Sequence, residues 1–307
     1  MASEGQAKKK PSFRVIGLVF LLGLGLMTGG VFEPLERKSI DMRLGVWRKD
    51  RAPEVPIAVI LVDDASLDAL APMAGRWPWP RRIHAELIDF LALCGARAVV
   101  VDLLFSENQD IHQNTNTHTT SDDQLLSKAT AEAGNVYHAL QLVRRGEDQA
   151  PTGDDAASLP SAFIQRFGLA VSGEGGPEYP DAYPPFADLY GAAKGMGVVS
   201  FGADSDGVFR RERLSFNHRG HHFSALGLAP ALELLEVERL AHEGDALVLE
   251  AAHGASYRLP LDEAQLYRIN PYGRFEAYSY SGVYLLSLIH ISEPTRPPVA
   301  SRMPSSA

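Results

Sequence analysis

Four side chains have the types and spacing to do chemistry. Asp63 and Asp64 close the apolar run IAVILV, Asp102 closes the run ARAVVV, and Arg81 ends the cluster WPWPR between them. Carboxylates at the ends of neighbouring strands can bind a polar ligand or a divalent cation, and a nearby guanidinium can orient or neutralise either one. The competing role for each acid is structural. An Asp or Ser just ahead of a helix caps its free N–H groups, and Asp63 or Ser66 stands where such a cap belongs. Hydrolysis assisted by a metal at these acids is the weaker chemical reading. The sequence supplies no activated nucleophile, no glycine loop for phosphate and no convincing His/Asp pair.

Holding these groups requires strands and a crossover. Residues 57–62 read as a strand, and so does the Val-rich run that ends at Asp102. Between them, residues 80–94 read as a helix with Pro80 at its first position, an apolar stripe at Ile83, Leu87, Phe90, Leu91 and Cys94, and Gly95 as its stop. WPWPR cannot be regular helix, because each proline steers the preceding residue away from αR. Its tryptophans therefore lie in an extended or turn segment, placed to seal the domain's edge or to line a pocket. A second helix over 122–133 stops at Gly134, and 135–143 is a third strand. Runs this apolar are buried on both faces. The expected fold class is α/β, with a central, mostly parallel sheet, a βαβαβ core and flanking helices, preceded by one N-terminal transmembrane helix.

Further along, 186–193 reads as a helix and 197–201 as a strand. The acidic segment Asp204-Ser205-Asp206-Gly207 fails as a calcium loop. Aligned on Gly207, it would put Gly202 at the first ligand position and Arg213 where the bidentate Glu belongs. A D-G turn leading into a strand over 208–216 explains the same letters. In that strand Arg210 and Glu212 share the apolar parity, so a partner carboxylate is expected for one of the charges. Residues 224–240 read as a helix kinked at Pro230, followed by strand-like pieces around turns at Gly254 and at 271–273.

Composition sets the outer limits. Of the chain's 307 residues, 45% are hydrophobic, enough for a sizeable core. Lys8, Lys9, Lys10 and Arg14 stand against Glu4 at the start, so the remainder of the chain is more acidic than the overall net charge of −9. No clustered basic surface is left to neutralise phosphates, which argues against nucleic acid as a partner. The single cysteine, Cys94, excludes an intramolecular disulfide and a C-x-x-C redox pair, and its place on the helix stripe predicts a buried, inert thiol. Residues 15–32, VIGLVFLLGLGLMTGGVF, carry no charge and read as an uncleaved membrane helix. The basic residues ahead of it place the N-terminus in the cytoplasm and the main domain outside the inner membrane. Gly25 and Gly29 make a G-x-x-x-G that would suit a homodimer contact. Residues 33–56 form a charged stalk. The Asn/Thr-rich loop over 106–123 holds His112 and His118 with Asp110, Asp122 and Asp123, at a spacing that fits a solvated loop better than a metal site.

Taken in order, the stalk sequence IDMRLGVWR and the segments VDDASL, WPWPRRIHAELIDFL, GARAVVVDLLFSE, GVVSFGADSDGVFRRERL and RINPYGRFEAYSYSGV resemble a CHASE2 domain over residues 35–283. The resemblance implies an extracytoplasmic sensor of a bacterial membrane receptor. The family's outputs are an adenylate or guanylate cyclase, a histidine kinase or a serine/threonine kinase. It carries over no catalytic residue and implies no metal or cofactor. The partners it implies are the membrane and a small-molecule or environmental signal. The ligand-binding candidates, Asp63, Asp64, Arg81 and Asp102, rest on their strand-end positions and not on the resemblance. A membrane-anchored metal-dependent hydrolase and a structural dimerisation domain are the alternatives. The sensor domain is expected over 57–285. The segment LSLIHISEPTR, residues 286–296, resembles a translated sequencing adapter, which makes 286–307 a non-native tail and the chain an N-terminal fragment.

Overall fold

The structure is a computed structural model that describes residues 38–39, 42–43, 56–109, 121–144, 158–173, 175–269 and 275–292. The chain divides into two units, residues 1–57 with 270–275, and residues 58–269 with 276–307. Of the first unit, the described residues include helical positions at 38–39 and 42–43, where Arg43 donates from Nε to the Ser39 carbonyl at 3.2 Å. The expected membrane helix lies outside the described residues, as do the loop histidines 112 and 118. Among the described residues, no helix is long and apolar enough to cross a membrane.

The second unit is a mixed α/β assembly of several sheets. At its centre β3 (Val136–Val143) runs parallel to β2 (Val99–Val101), with Val99 opposite Val136. It also runs parallel to β6 (Gly195–Val198), with Leu140 opposite Val198, while its far half pairs antiparallel with β5 (Asp181–Tyr183). β3 is buried along almost its whole length, as its mostly apolar letters require, and its buried His138 meets the Thr130 hydroxyl at 3.1 Å. On one face lie α2 (Arg81–Leu93) and α3 (Asp122–Ala133), which close a core of Ala85, Ile88, Val99, Leu126, Ala129 and Val136. The start of α3 is fixed by a capping box between Ser121 and Gln124, and its end by Gly134 in the left-handed conformation, φ 67°. Against β6 the segment around Leu226 approaches so closely that a Cβ on Gly197 would collide with the Leu226 backbone. Leu226 donates its N–H to the Val198 carbonyl there at 3.0 Å.

A second sheet joins β10 (Val237–Glu243), β11 (Ala246–Ala251) and β12 (Ser256–Pro260) antiparallel, with β4 (Val171–Ser172) parallel to β10. The remaining elements are α4 (Ser161–Phe167), α5 (Ala187–Ala192), whose Leu189 joins the core under α2 and α3, the hairpin of β8 (Ser215–His218) and β9 (His221–Ser224), and α6 (Ala229–Leu234). A short ladder pairs β7 (Arg211–Glu212) with β13 (Tyr267–Arg268).

Four expectations are corrected. The strand β1 (Ala58–Leu61) does not join the central sheet; its parallel partner is β14 (Glu276–Ser279), with Ile60 opposite Tyr278. Two helices, α1 (Asp64–Ala74) and α2, separate β1 from β2, and both ends of β1 are exposed, unlike a strand covered on two faces. The helix expected over 224–240 is instead β9, α6 and β10. Pro230 opens α6 in its first turn, and Glu236 at φ 52° ends the helical stretch. The DSDG turn forms, with Gly207 at φ 79°, but regular strand resumes only at β7 and β8. Cys94 is exposed, because it is the C-cap of α2, past the last residue whose stripe faces the core.

Candidate functional site

Asp63 is a helix cap. Its Oδ1 accepts from the Ser66 backbone N–H at 2.8 Å and also from the Ser279 hydroxyl at 2.9 Å, tying the start of α1 to the end of β14. These hydrogen bonds, those from Ser66 first, hold its carboxyl below the usual range. The Ser281 backbone N–H donates to Ser66 Oγ at 3.0 Å, so the same joint reaches α7 (Tyr280–Ser292). Asp64 is exposed in the first turn of α1, where an acid complements the helix dipole.

Arg81 is buried, and each face of its guanidinium is used internally. It pairs with Asp123, donates to the Glu107 carbonyl and stacks over Phe186, 4.6 Å from the ring centre. Gln109 completes the lock, donating its N–H to Asp123 at 3.0 Å and accepting the Arg81 N–H at 2.9 Å. Arg81 thus pins the loop after β2 onto α2 and α3. It also borders a cavity of about 430 Å³ with Trp77, His84 and Phe105. Of the two tryptophans, Trp79 is buried against Tyr280 and seals the core, whereas Trp77 is exposed on that cavity's rim. Among the described residues no group of three or more His, Cys, Asp or Glu is placed to hold a metal, so the four candidates do not converge on one.

Asp102 bears on a cavity only through a residue not anticipated. It is exposed at the end of β2, and its charge acts on Glu212. Burial first, and Asp102 second, push the Glu212 carboxyl up to about 7. Glu212 lines a cavity of about 540 Å³ at the carboxyl edge of the central sheet. Ser106 after β2, Leu142 and Arg144 at the end of β3, Ser200 after β6, Tyr183 of β5 and Arg213 beyond β7 also form its wall. Ser200 donates to the Leu142 carbonyl and its Oγ accepts the Leu142 N–H at 3.0 Å, so β3 and the chain after β6 are joined at the floor.

The polar groups of this wall are unevenly satisfied. Arg211 reaches Asp204 at 2.5 Å and Asp262 at 2.9 Å, while Arg210 reaches Asp204 and Asp206. Arg213, only 9% exposed, donates to the Ala264 carbonyl at 3.1 Å and to the Gln265 carbonyl at 3.4 Å, and its buried Nε has no partner. The buried Tyr183 hydroxyl has none either. The cavity lies at strand ends, where the sequence pointed, but its lining residues Tyr183, Ser200 and Arg213 were not among the candidates. The available signal was the run RRER, whose charges cannot all face solvent in a strand.

The described residues form an α/β unit with a cavity at the carboxyl ends of its parallel strands, the place where open α/β sheets commonly bind ligands. The chain matches the CHASE2 domain over residues 15–300 and belongs to that family, whose members are sensor domains. No curated protein and no solved structure matches it.

Proposed function

We propose that this chain is the sensory input of a bacterial transmembrane receptor, with its α/β unit outside the inner membrane, residues 15–32 as the anchor and a cyclase or kinase as the output. The observation that carries the ligand-sensing part is the 540 Å³ cavity at the carboxyl edge of β2, β3 and β6 in a CHASE2 chain. Its wall combines segments distant in sequence, from β3 to Leu266, so an occupant favours the packing in which they are together. The change would leave through β14, which pairs with β1 and continues into α7 beside the Asp63–Ser279 joint.

The test is a thermal-shift screen of the purified chain against small molecules, repeated on Gly202→Trp. Gly202 borders the cavity, and a Cβ placed on it meets nothing within 4 Å, so a bulky side chain can be added at the cavity's wall without displacing backbone at its point of attachment. A ligand at about a hundred times its Kd stabilises by about 2.7 kcal/mol, a shift of a few degrees in melting temperature. The expected result is a shift in the native chain that Gly202→Trp abolishes. An equal shift in both would place the sensory site elsewhere.

A further inference from the structure

We infer that His222 and His242 form an acid-sensitive latch, which holds the β8–β9 hairpin against β10 while both imidazoles are neutral and releases that joint when they take up protons. The inference stands apart from the cavity and does not depend on the sensor reading above.

Three segments meet at the pair. His222 lies on β9 and His242 on β10, with ring centres 6.5 Å apart. The chain ahead of β4 ties the two strands together. Leu169 donates its N–H to the His222 carbonyl at 2.8 Å, and Leu240 donates to the Ala170 carbonyl at 3.3 Å. Past β4 the chain folds over both rings. A Cβ on Gly175 would lie 2.6 Å from His242 Nε2 and 3.2 Å from His222 Cε1, and one on Gly176 would strike Arg213 Nη1. The backbone at 175–176 therefore lies against both imidazoles and a guanidinium.

The surroundings suit neutral rings. Gln265 gives its amide N–H to the Gly244 carbonyl at 3.2 Å, so its Oε1 accepts the proton of His242 Nδ1, also at 3.2 Å. His242 Nε2 is then a lone pair, buried without a partner, and a proton added there would have no acceptor. His222 turns Nδ1 to the Ser215 hydroxyl at 3.1 Å. The charges that act on the pair are positive: Arg213 on His242, and the exposed His221 on His222. The neighbouring acids are turned elsewhere. Asp262 pairs with Arg211, Glu243 pairs with Arg258, Glu178 acts on His218 and Glu263 is exposed, while Glu174 lies outside the described residues. Protonating both rings thus sets three cations around 175–176 with no counter-charge among the described residues. Burial first holds both imidazoles below their ordinary 6.5; His242 and His221 add to this at His222, and Arg213 adds to it at His242, against the Gln265 hydrogen bond. An opened joint therefore binds protons more readily than a closed one. The latch is strongest above 6.5 and weakens as pH falls below that value.

The experiment follows amide hydrogen exchange of the purified chain at about pH 7.5 and about pH 5, corrected for the pH dependence of exchange in an unfolded chain. The Leu169 and Leu240 amides, which bridge the joint, should lose protection at least about tenfold at the lower pH, the equivalent of one pKa unit. The amides of β3 should keep theirs. The double variant His222→Gln, His242→Gln retains polar side chains that do not titrate, and its protection at the joint should be the same at both pH values. Equal protection of the native chain at the two pH values, an equal loss in β3, or the same loss in the double variant overturns the latch. If the double variant fails to fold, an NMR titration of the native chain decides. The His222 and His242 ring signals, assigned through their backbone, should both titrate below 6.5, and either one titrating at or above that value overturns the proposal.

Discussion

Glu212 shows how burial changes the meaning of a side chain. In the unfolded chain its carboxyl ionises near 4.5, but in the fold it does so near 7. Between these values the unfolded state has lost a proton that the folded state keeps, so stability falls as pH rises through the window and levels off above it. Glu212→Gln mimics the protonated form. The variant should exceed the native chain in stability at pH 8 by on the order of 1 kcal/mol, discounted for the solvent that reaches this half-buried group. The gain should fade toward pH 4.5. Denaturant unfolding of both proteins across that range checks it, and a difference independent of pH would rule the explanation out. Histidines behave oppositely. Burial, and then Arg81, pull His84 down to about 4, so its stabilising neutral form is lost as pH falls from 6.5 through about 4. His84 Nδ1 lies 2.9 Å from the Tyr280 hydroxyl, which joins α2 to α7. His84→Leu leaves that hydroxyl only the Ile83 carbonyl, at 3.4 Å, and should cost about 1 kcal/mol, with less than additive loss when combined with Tyr280→Phe.

Among the elements, those written in neighbouring letters were readable. The helix α3 was anticipated over 122–133 with its stop at Gly134, and the structure places it at Asp122–Ala133. The third strand was likewise visible, because β3 is mostly apolar, with His138 and Gln141 as its interruptions. What could not be read was partnership. Ser66 and Ser279 meet across 213 residues, and nothing in the periodicity of either segment names the other. The helix expected over 224–240 failed for a related reason: its apolar letters fit two short strands once each has a sheet to join. Close approach is a further property of element pairs. Gly197→Ala should force Leu226 away from β6 and lower stability by about 1–3 kcal/mol, several degrees in melting temperature. Gly227→Ala, where a Cβ meets nothing within 4 Å, is the control and should change stability by less than 1 kcal/mol. Equal effects would show that the contact at Gly197 is not what limits that position.

At the scale of the whole molecule, the unpaired thiol gives a direct test of topology. Cys94 is the chain's single cysteine and is exposed. If the α/β unit lies outside the inner membrane, a membrane-impermeant maleimide should label Cys94 on intact spheroplasts as fully as on lysed ones, and Cys94→Ala should remove the signal. Labelling that requires lysis would place the unit inside. The sequence by itself determined the family, through an ordered set of motifs, and the local elements, because capping, turn chemistry and apolar period act between residues a few positions apart. It also pointed to the carboxyl ends of the strands, where the fold has a cavity. Only the tertiary structure decided which residues line that cavity. Asp63 and Arg81 were drawn into internal joints, while Arg213 donates to the Ala264 and Gln265 carbonyls and the Tyr183 hydroxyl has no hydrogen-bond partner. A side chain's spare hydrogen-bonding capacity is a balance over everything folded around it, and for this cavity that includes β2, β3, β5, β6 and β7, brought together from more than a hundred residues of chain.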